Sequence, residues 1–129
     1  RLSLVGSEMC IRDRLWSKGT LDFLGMTNLS KSHRSLLEEY FVINHITSDQ
    51  LQRSDDGTIK NTIRLHDGYL VESVLIPTET RSTACVSSQV GCSLDCHFCA
   101  TAKLKRMRNL NPDEIYDQVI EIDKQSQLY

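Results

Sequence analysis

Three thiols dominate the chemistry this chain can do. Cys92, Cys96 and Cys99 stand in Gly91-Cys92-Ser93-Leu94-Asp95-Cys96-His97-Phe98-Cys99, a C-x3-C-x2-C spacing with an aromatic before the last thiol. Iron–sulfur clusters are normally held by four thiolates. Three closely spaced ones leave one iron without a protein ligand, free to bind and activate a small molecule. Gly91 allows the backbone to bend into the loop, and Phe98 offers an apolar cover against water. The metal alternative is a zinc site completed by His97. It is the weaker reading, because His97 adjoins Cys96 and neighbouring residues seldom face one ion. Buried thiols without a metal leave the spacing unexplained.

The rest of the composition bounds the setting. The chain has 129 residues, 40% hydrophobic and 25% charged, which fits one small domain or a piece of a larger one. No apolar run approaches the roughly 20 residues of a membrane span, and the first residues show no basic-then-apolar signal pattern, so secretion is not expected. Five cysteines, three of them within eight residues, point to a metal site in a reducing compartment rather than a disulfide framework. A cytoplasmic location is expected. Net charge is −2, yet Lys103, Lys105, Arg106 and Arg108 lie close together with no acid among them. Such a stretch is either a solvated loop or a local contact for phosphate.

The positioning elements come from pattern and turn chemistry. Residues Arg1–Arg14 show no period and resemble translated sequencing-adapter readthrough. They are expected to be non-native, and Cys10 within them carries no functional weight. Residues 15–47 form a helical region, with Leu15, Trp16, Leu21, Phe23, Leu24 and Met26 apolar. Ser30 is the N-cap of a helix through Tyr40, whose Leu36, Leu37, Tyr40 and Phe41 form a core-packing stripe. Residues 48–80 form a β-hairpin or meander. Asp55-Asp56-Gly57 and His66-Asp67-Gly68 are turns bracketing one strand, Tyr69–Ile76 is the next, Ile46–Arg53 is a third, and Pro77 closes the last. Residues 81–129 then give a short strand at Ala84-Cys85-Val86, the cysteine loop and a helix. That helix has Asn111 at N-cap, Pro112 at N1, Asp113 and Glu114 at its positive end, and a buried stripe of Ile115, Val119 and Ile122 flanked by Tyr116 and Ile120. Strand, site loop and helix make half of a βαβ unit.

Two further residues draw attention. Cys85 by itself reads as a small core residue on a strand. Glu72 is a charge inside Leu70-Val71-Glu72-Ser73-Val74-Leu75-Ile76, in phase with the apolar Leu70, Val74 and Ile76. A carboxylate on such a face is expected to be partly desolvated, which suits a proton acceptor. The bland alternative is a solvent-facing strand position.

The three-cysteine signature is that of radical S-adenosylmethionine (SAM) enzymes. The wider string Arg81-Ser-Thr-Ala-Cys85-Val-Ser-Ser-Gln-Val-Gly-Cys92-Ser-Leu-Asp-Cys96-His-Phe-Cys99-Ala-Thr closely resembles the adenine-C2 RNA methyltransferases of the RlmN type. So do Met26-Thr-Asn-Leu-Ser-Lys31, Asp56-Gly-Thr-Ile-Lys60, Val71-Glu72, Ile76-Pro77 and Arg108-Asn-Leu110. The resemblance runs from about Leu15 to Tyr129.

It implies an α/β fold. A small helical region and a β-hairpin precede the first β/α unit of a partial (β/α) TIM-like barrel. It implies that Cys92, Cys96 and Cys99 hold a [4Fe–4S] cluster whose open iron chelates SAM, with reductive cleavage giving a 5′-deoxyadenosyl radical. In this family the radical takes hydrogen from an S-methylated cysteine, and the carbon radical adds to C2 of adenine in 23S rRNA or tRNA. Cys85 matches the cysteine that resolves the adduct through a disulfide with the methyl-carrying cysteine. Glu72 matches the family's proton acceptor, though either Glu72 or Cys85 could take the C2 proton. The implied partners are RNA and an electron donor, with no membrane and a monomeric state. Lys105 and Arg106 stand where the family commonly has Gly and an aromatic. The sequence contains no glycine–glutamate SAM motif, later barrel strands or methyl-carrying cysteine, so an N-terminal fragment, inactive alone, is expected. Two other readings are an adenine-C8 rRNA methyltransferase of the antibiotic-resistance type and a non-enzymatic zinc-binding RNA module.

Overall fold

Turn chemistry lays out the sheet. In the computed structural model, which describes residues 11–20, 22–94 and 96–127, β1 (Thr47–Arg53), β2 (Ile59–Arg64) and β3 (Leu70–Pro77) run antiparallel. Asp56 Oδ1 accepts from the Thr58 amide at 2.9 Å, and Asp67 Oδ1 from the Tyr69 amide at 3.3 Å. Each aspartate thereby closes its own turn, and the three strands lie where the sequence puts them. After Pro77 the chain turns tightly, with the Thr78 amide and Oγ1 both donating to the Arg81 carbonyl at 2.8 and 2.7 Å. It returns as β4 (Ser82–Cys85), giving the order β1-β2-β3-β4. β4 pairs antiparallel with β3, so Cys85 ends a hairpin strand and not the first strand of a parallel βαβ unit. A parallel partner needs a long crossover, and the four residues of this turn cannot supply one.

A second, two-stranded ladder follows, β5 (Gln89–Val90) with β6 (Arg108–Asn109), and then helix α1 (Pro112–Ser126). Side chains alternate across the large sheet. Ile59, Asn61 and Ile63 on β2 and Val71, Ser73 and Leu75 on β3 are buried. Ile122 of α1 packs with Ile59 and Leu75, while Ile63, Leu65 and Val71 cluster with Val90 and Leu110, with Ile115 against them.

The buried stripe of α1 corrects the sequence reading. Its buried residues are Glu114, Gln118, Ile122 and Gln125, whereas Val119 is exposed. Polar groups can occupy the inner face because partners wait there. Asn61 Nδ2 donates to Gln125 Oε1 at 3.0 Å, and Gln125 Nε2 donates to Asn61 Oδ1 at 2.8 Å.

The chain divides into two compact units after Asn44. The first contains a helix at Lys31–Tyr40, capped by Ser30 Oγ accepting from the His33 amide at 3.3 Å. Its core is Phe23, Met26 and Leu29, with Leu15, Leu37 and Ile43 packed against them. Among the described residues ahead of that helix are a short π-helical turn at Asp13–Ser17 and tight turns rather than one long helix. Of the expected apolar stripe, Leu37 alone joins the core; Leu36, Tyr40 and Phe41 are exposed. The turn residues Phe23, Met26 and Leu29 fill the centre, so one helical contact suffices. Cys10, the rest of the adapter-like residues 1–10, and Leu21 lie outside the described residues. No helix among the described residues is long and apolar enough to cross a membrane.

Candidate functional site

The cysteine loop hangs from the β5–β6 neck. The Met107 amide donates to the Val90 carbonyl and the Leu110 amide to the Ser88 carbonyl, both at 2.9 Å. Beyond the neck, the Cys92 amide donates to Leu104 O at 3.0 Å, and Cys92 bridges Lys105. Gly91 has φ +71°, and a Cβ there would overlap the Lys105 carbonyl oxygen. Only glycine lets the two arms approach this closely. Inside the loop, the Leu94 amide donates to Cys92 Sγ at 3.3 Å, the Cys96 amide to Leu94 O at 2.7 Å and the Cys99 amide to Cys96 O at 3.1 Å. A short 3-10 turn at Thr101–Lys103 begins the return.

Cys92, Cys96 and Cys99 are half-buried free thiols. Among the described residues no group of three or more His, Cys, Asp or Glu side chains is gathered to hold a metal ion. Phe98 is 94% exposed. The donor set still fits an iron–sulfur cluster: three accessible soft ligands, none consumed by a disulfide, on a loop with fixed ends. His97 is exposed.

Cys85 and Glu72 share the outward face of the large sheet. Cys85 pairs with Val74, and Glu72 pairs with Thr62 one step along the same face. The two side chains are therefore diagonal neighbours. Cys85 is exposed and free. Glu72 is not desolvated: its side chain is 54% exposed, with Oε1 3.0 Å from Lys60 Nζ. Both phases of β3 are apolar, and α1 covers the Val71–Leu75 phase, so Leu70, Glu72 and Ile76 face outward. Ser87 Oγ donates to the Glu72 carbonyl at 2.7 Å, tying the segment after Cys85 back to β3.

The basic stretch separates into two roles. Lys103, Lys105 and Arg106 are exposed. Arg108 turns inward instead. Its Nη1 and Nη2 each donate to a Glu114 carboxylate oxygen at 2.8 Å, and its Nε donates to Asp67 Oδ2 at 2.7 Å. Glu114 is almost fully buried, accepts from the Asn111 amide at 2.8 Å, and lies 3.2 Å from His66 Nδ1. The hydrogen bonds from Arg108 hold the Glu114 carboxyl below the usual carboxylate range, and Glu114 in turn raises Arg108. Sequence reading took Glu114 only as a charge at the helix start. The available signal was its place three residues after Asn111, the spacing of a capping box.

A solved radical SAM methyltransferase from Sphaerobacter thermophilus superposes with a TM-score of 0.78 at 34% identity, covering 92% of this chain and 35% of that one. The fold and the cysteine loop thus place its likeness in one class, the radical SAM methyltransferases. Sequence relatives narrow it. A protein of Flavobacterium johnsoniae named "Probable dual-specificity RNA methyltransferase RlmN" is 73% identical over 115 residues, 89% of this chain and 33% of the relative. The like-named Cytophaga hutchinsonii protein is 61% identical over 106 residues, 82% and 29%. The Geotalea uraniireducens dual-specificity RNA methyltransferase RlmN is 46% identical over 111 residues, 86% and 32%. The chain is homologous to the RlmN-type RNA methyltransferases and spans about a third of their length. No protein-family model matches it.

Proposed function

We propose that this chain carries the cluster-binding part of a radical SAM enzyme that methylates C2 of adenine in 23S rRNA and tRNA. The carrying observation is the 73% identity to an RlmN relative. Cys92, Cys96 and Cys99 would hold a [4Fe–4S] cluster, which when bound supplies the electron for SAM cleavage. Cys85, an exposed thiol, suits attack on a second sulfur to resolve an enzyme–RNA adduct. Glu72, an open carboxylate beside Lys60, suits acceptance of a proton on the same face. Lys103, Lys105 and Arg106 present positive charge to RNA phosphate. The run from β5 through the loop to α1 would begin a partial (β/α) barrel, with site loops gathered at one end. The working enzyme would be cytoplasmic and monomeric, served by a separate electron donor.

Anaerobic reconstitution of the 129-residue chain with iron and sulfide tests the reading. Broad charge-transfer absorption and equal iron and sulfide are expected, lost in C92A, C96A or C99A and kept in C85A. Zinc uptake without sulfide would sink it. Methyl transfer to an adenine-containing RNA is expected to be absent from the 129-residue chain, which spans about a third of its RlmN relatives.

A further inference from the structure

The buried polar groups at the start of α1 reach both ends of the cysteine loop. Gln118 is 0% exposed. Its Oε1 accepts from the Ser87 amide at 2.9 Å, and its Nε2 donates to the Ser87 and Glu114 carbonyls, each at 3.1 Å. Ser87 lies just before β5, where the chain enters the loop. One turn back along the same helix face, Glu114 takes the Arg108 fork, where the chain leaves the loop. Arg108 also holds Asp67 of the β2–β3 turn. The helix thus grips the approach through an amide and the return through an ion pair. Between them the neck is only two residue pairs long, too short a ladder to hold shape alone.

A buried carboxylate and a buried amide are costly where leucine would pack, unless every polar atom is satisfied. Here they are satisfied, and such networks fix one arrangement. We infer that Glu114 and Gln118 are positioning residues, a two-point clamp that sets the two arms of the cysteine loop, and so its three thiols, in register. This rests on the reading of Cys92, Cys96 and Cys99 as cluster ligands.

The test uses amide hydrogen exchange on the 129-residue chain, alongside the electron paramagnetic resonance spectrum of the reconstituted, reduced cluster. In E114Q and in Q118M, exchange at Met107 and Leu110 is expected to rise on the order of tenfold or more, while Ile63 and Val71 keep wild-type rates. The cluster spectrum should broaden or shift in both. R108K, which keeps the charge but loses the fork, should fall between wild type and R108L. Q125L breaks the far end of α1 and should leave the loop amides alone. Unchanged loop exchange in E114Q and Q118M overturns the clamp, as does an equal rise in Q125L. If E114Q does not fold, D67N removes one exposed partner of Arg108, and a smaller rise in the same direction is required. A wild-type chain that takes up no cluster defeats the ligand reading and leaves the exchange result standing by itself.

Discussion

Replacing Gly91 by alanine isolates the closest backbone approach in the cysteine loop. Two costs add. Gly91 has φ +71°, and holding a residue with a Cβ there costs about 1–2 kcal/mol. The new methyl would also overlap the Lys105 carbonyl oxygen and lie 2.8 Å from its carbon and 3.1 Å from Arg106 Cα. These are backbone atoms and cannot rotate away, so overpacking adds about 1–3 kcal/mol. Gly68 provides the matched control, with φ +86° and nothing within 4 Å of its ideal Cβ. G68A should therefore show the conformational cost alone. Urea unfolding of both variants reads the difference, and the alkylation rate of Cys92 reports whether the loop arms separate. G91A is expected to exceed G68A by about 1–3 kcal/mol, or to free Cys92 for faster alkylation if the loop detaches locally. A G91A variant matching G68A in both measurements would refute the close packing of Gly91 against Lys105.

Other outcomes follow from the same contacts. Arg108 lowers the Glu114 pKa from its ordinary 4.5, so this pair stabilises the fold above that pH and is lost as pH falls through the folded value. The stability gap between wild type and E114Q, measured by urea midpoints, should therefore shrink under acid and persist at neutral pH. Breaking the buried Asn61–Gln125 pair from one side, as N61L or Q125L, should cost about 1–3 kcal/mol each. The double variant should cost less than their sum, which a double-mutant cycle measures. E72Q loses only an exposed ion pair with Lys60, so thermal unfolding should show a change below about 1 kcal/mol.

The hairpins were legible because their information is local. Asp56 and Asp67 bond to amides two residues away, and Ser30 caps its helix three residues on. The face of Glu72 was not legible, since Leu70, Val74 and Ile76 compete with Val71 and Leu75 at the same period. Which set is buried depends on a helix some forty residues later. The inner face of α1 was legible only in part, since Ile122 is buried and Ile115 packs against the core while Val119 is exposed. Hydrophobicity also selects Val119, but Gln118 and Gln125 are drawn inward instead by Ser87 and Asn61, distant in sequence. The cysteine spacing marks candidate ligands, yet does not show that Arg108 leaves the basic stretch to hold the loop.

The edges of the large sheet bear on how the chain behaves in concentrated solution. β1 is exposed along its whole length, and an open edge invites pairing with another molecule. Three features oppose it. The register slips between Ser48 and Gln50, Asp49 is tied to Arg64 at 2.7 Å, and Arg53 adds charge at the strand end. The opposite edge, β4, is four residues long and offers few free backbone groups for a neighbour to extend. Both borders thus discourage fibril-like stacking, and an aspartate-to-valine change at position 49 should raise the aggregation rate.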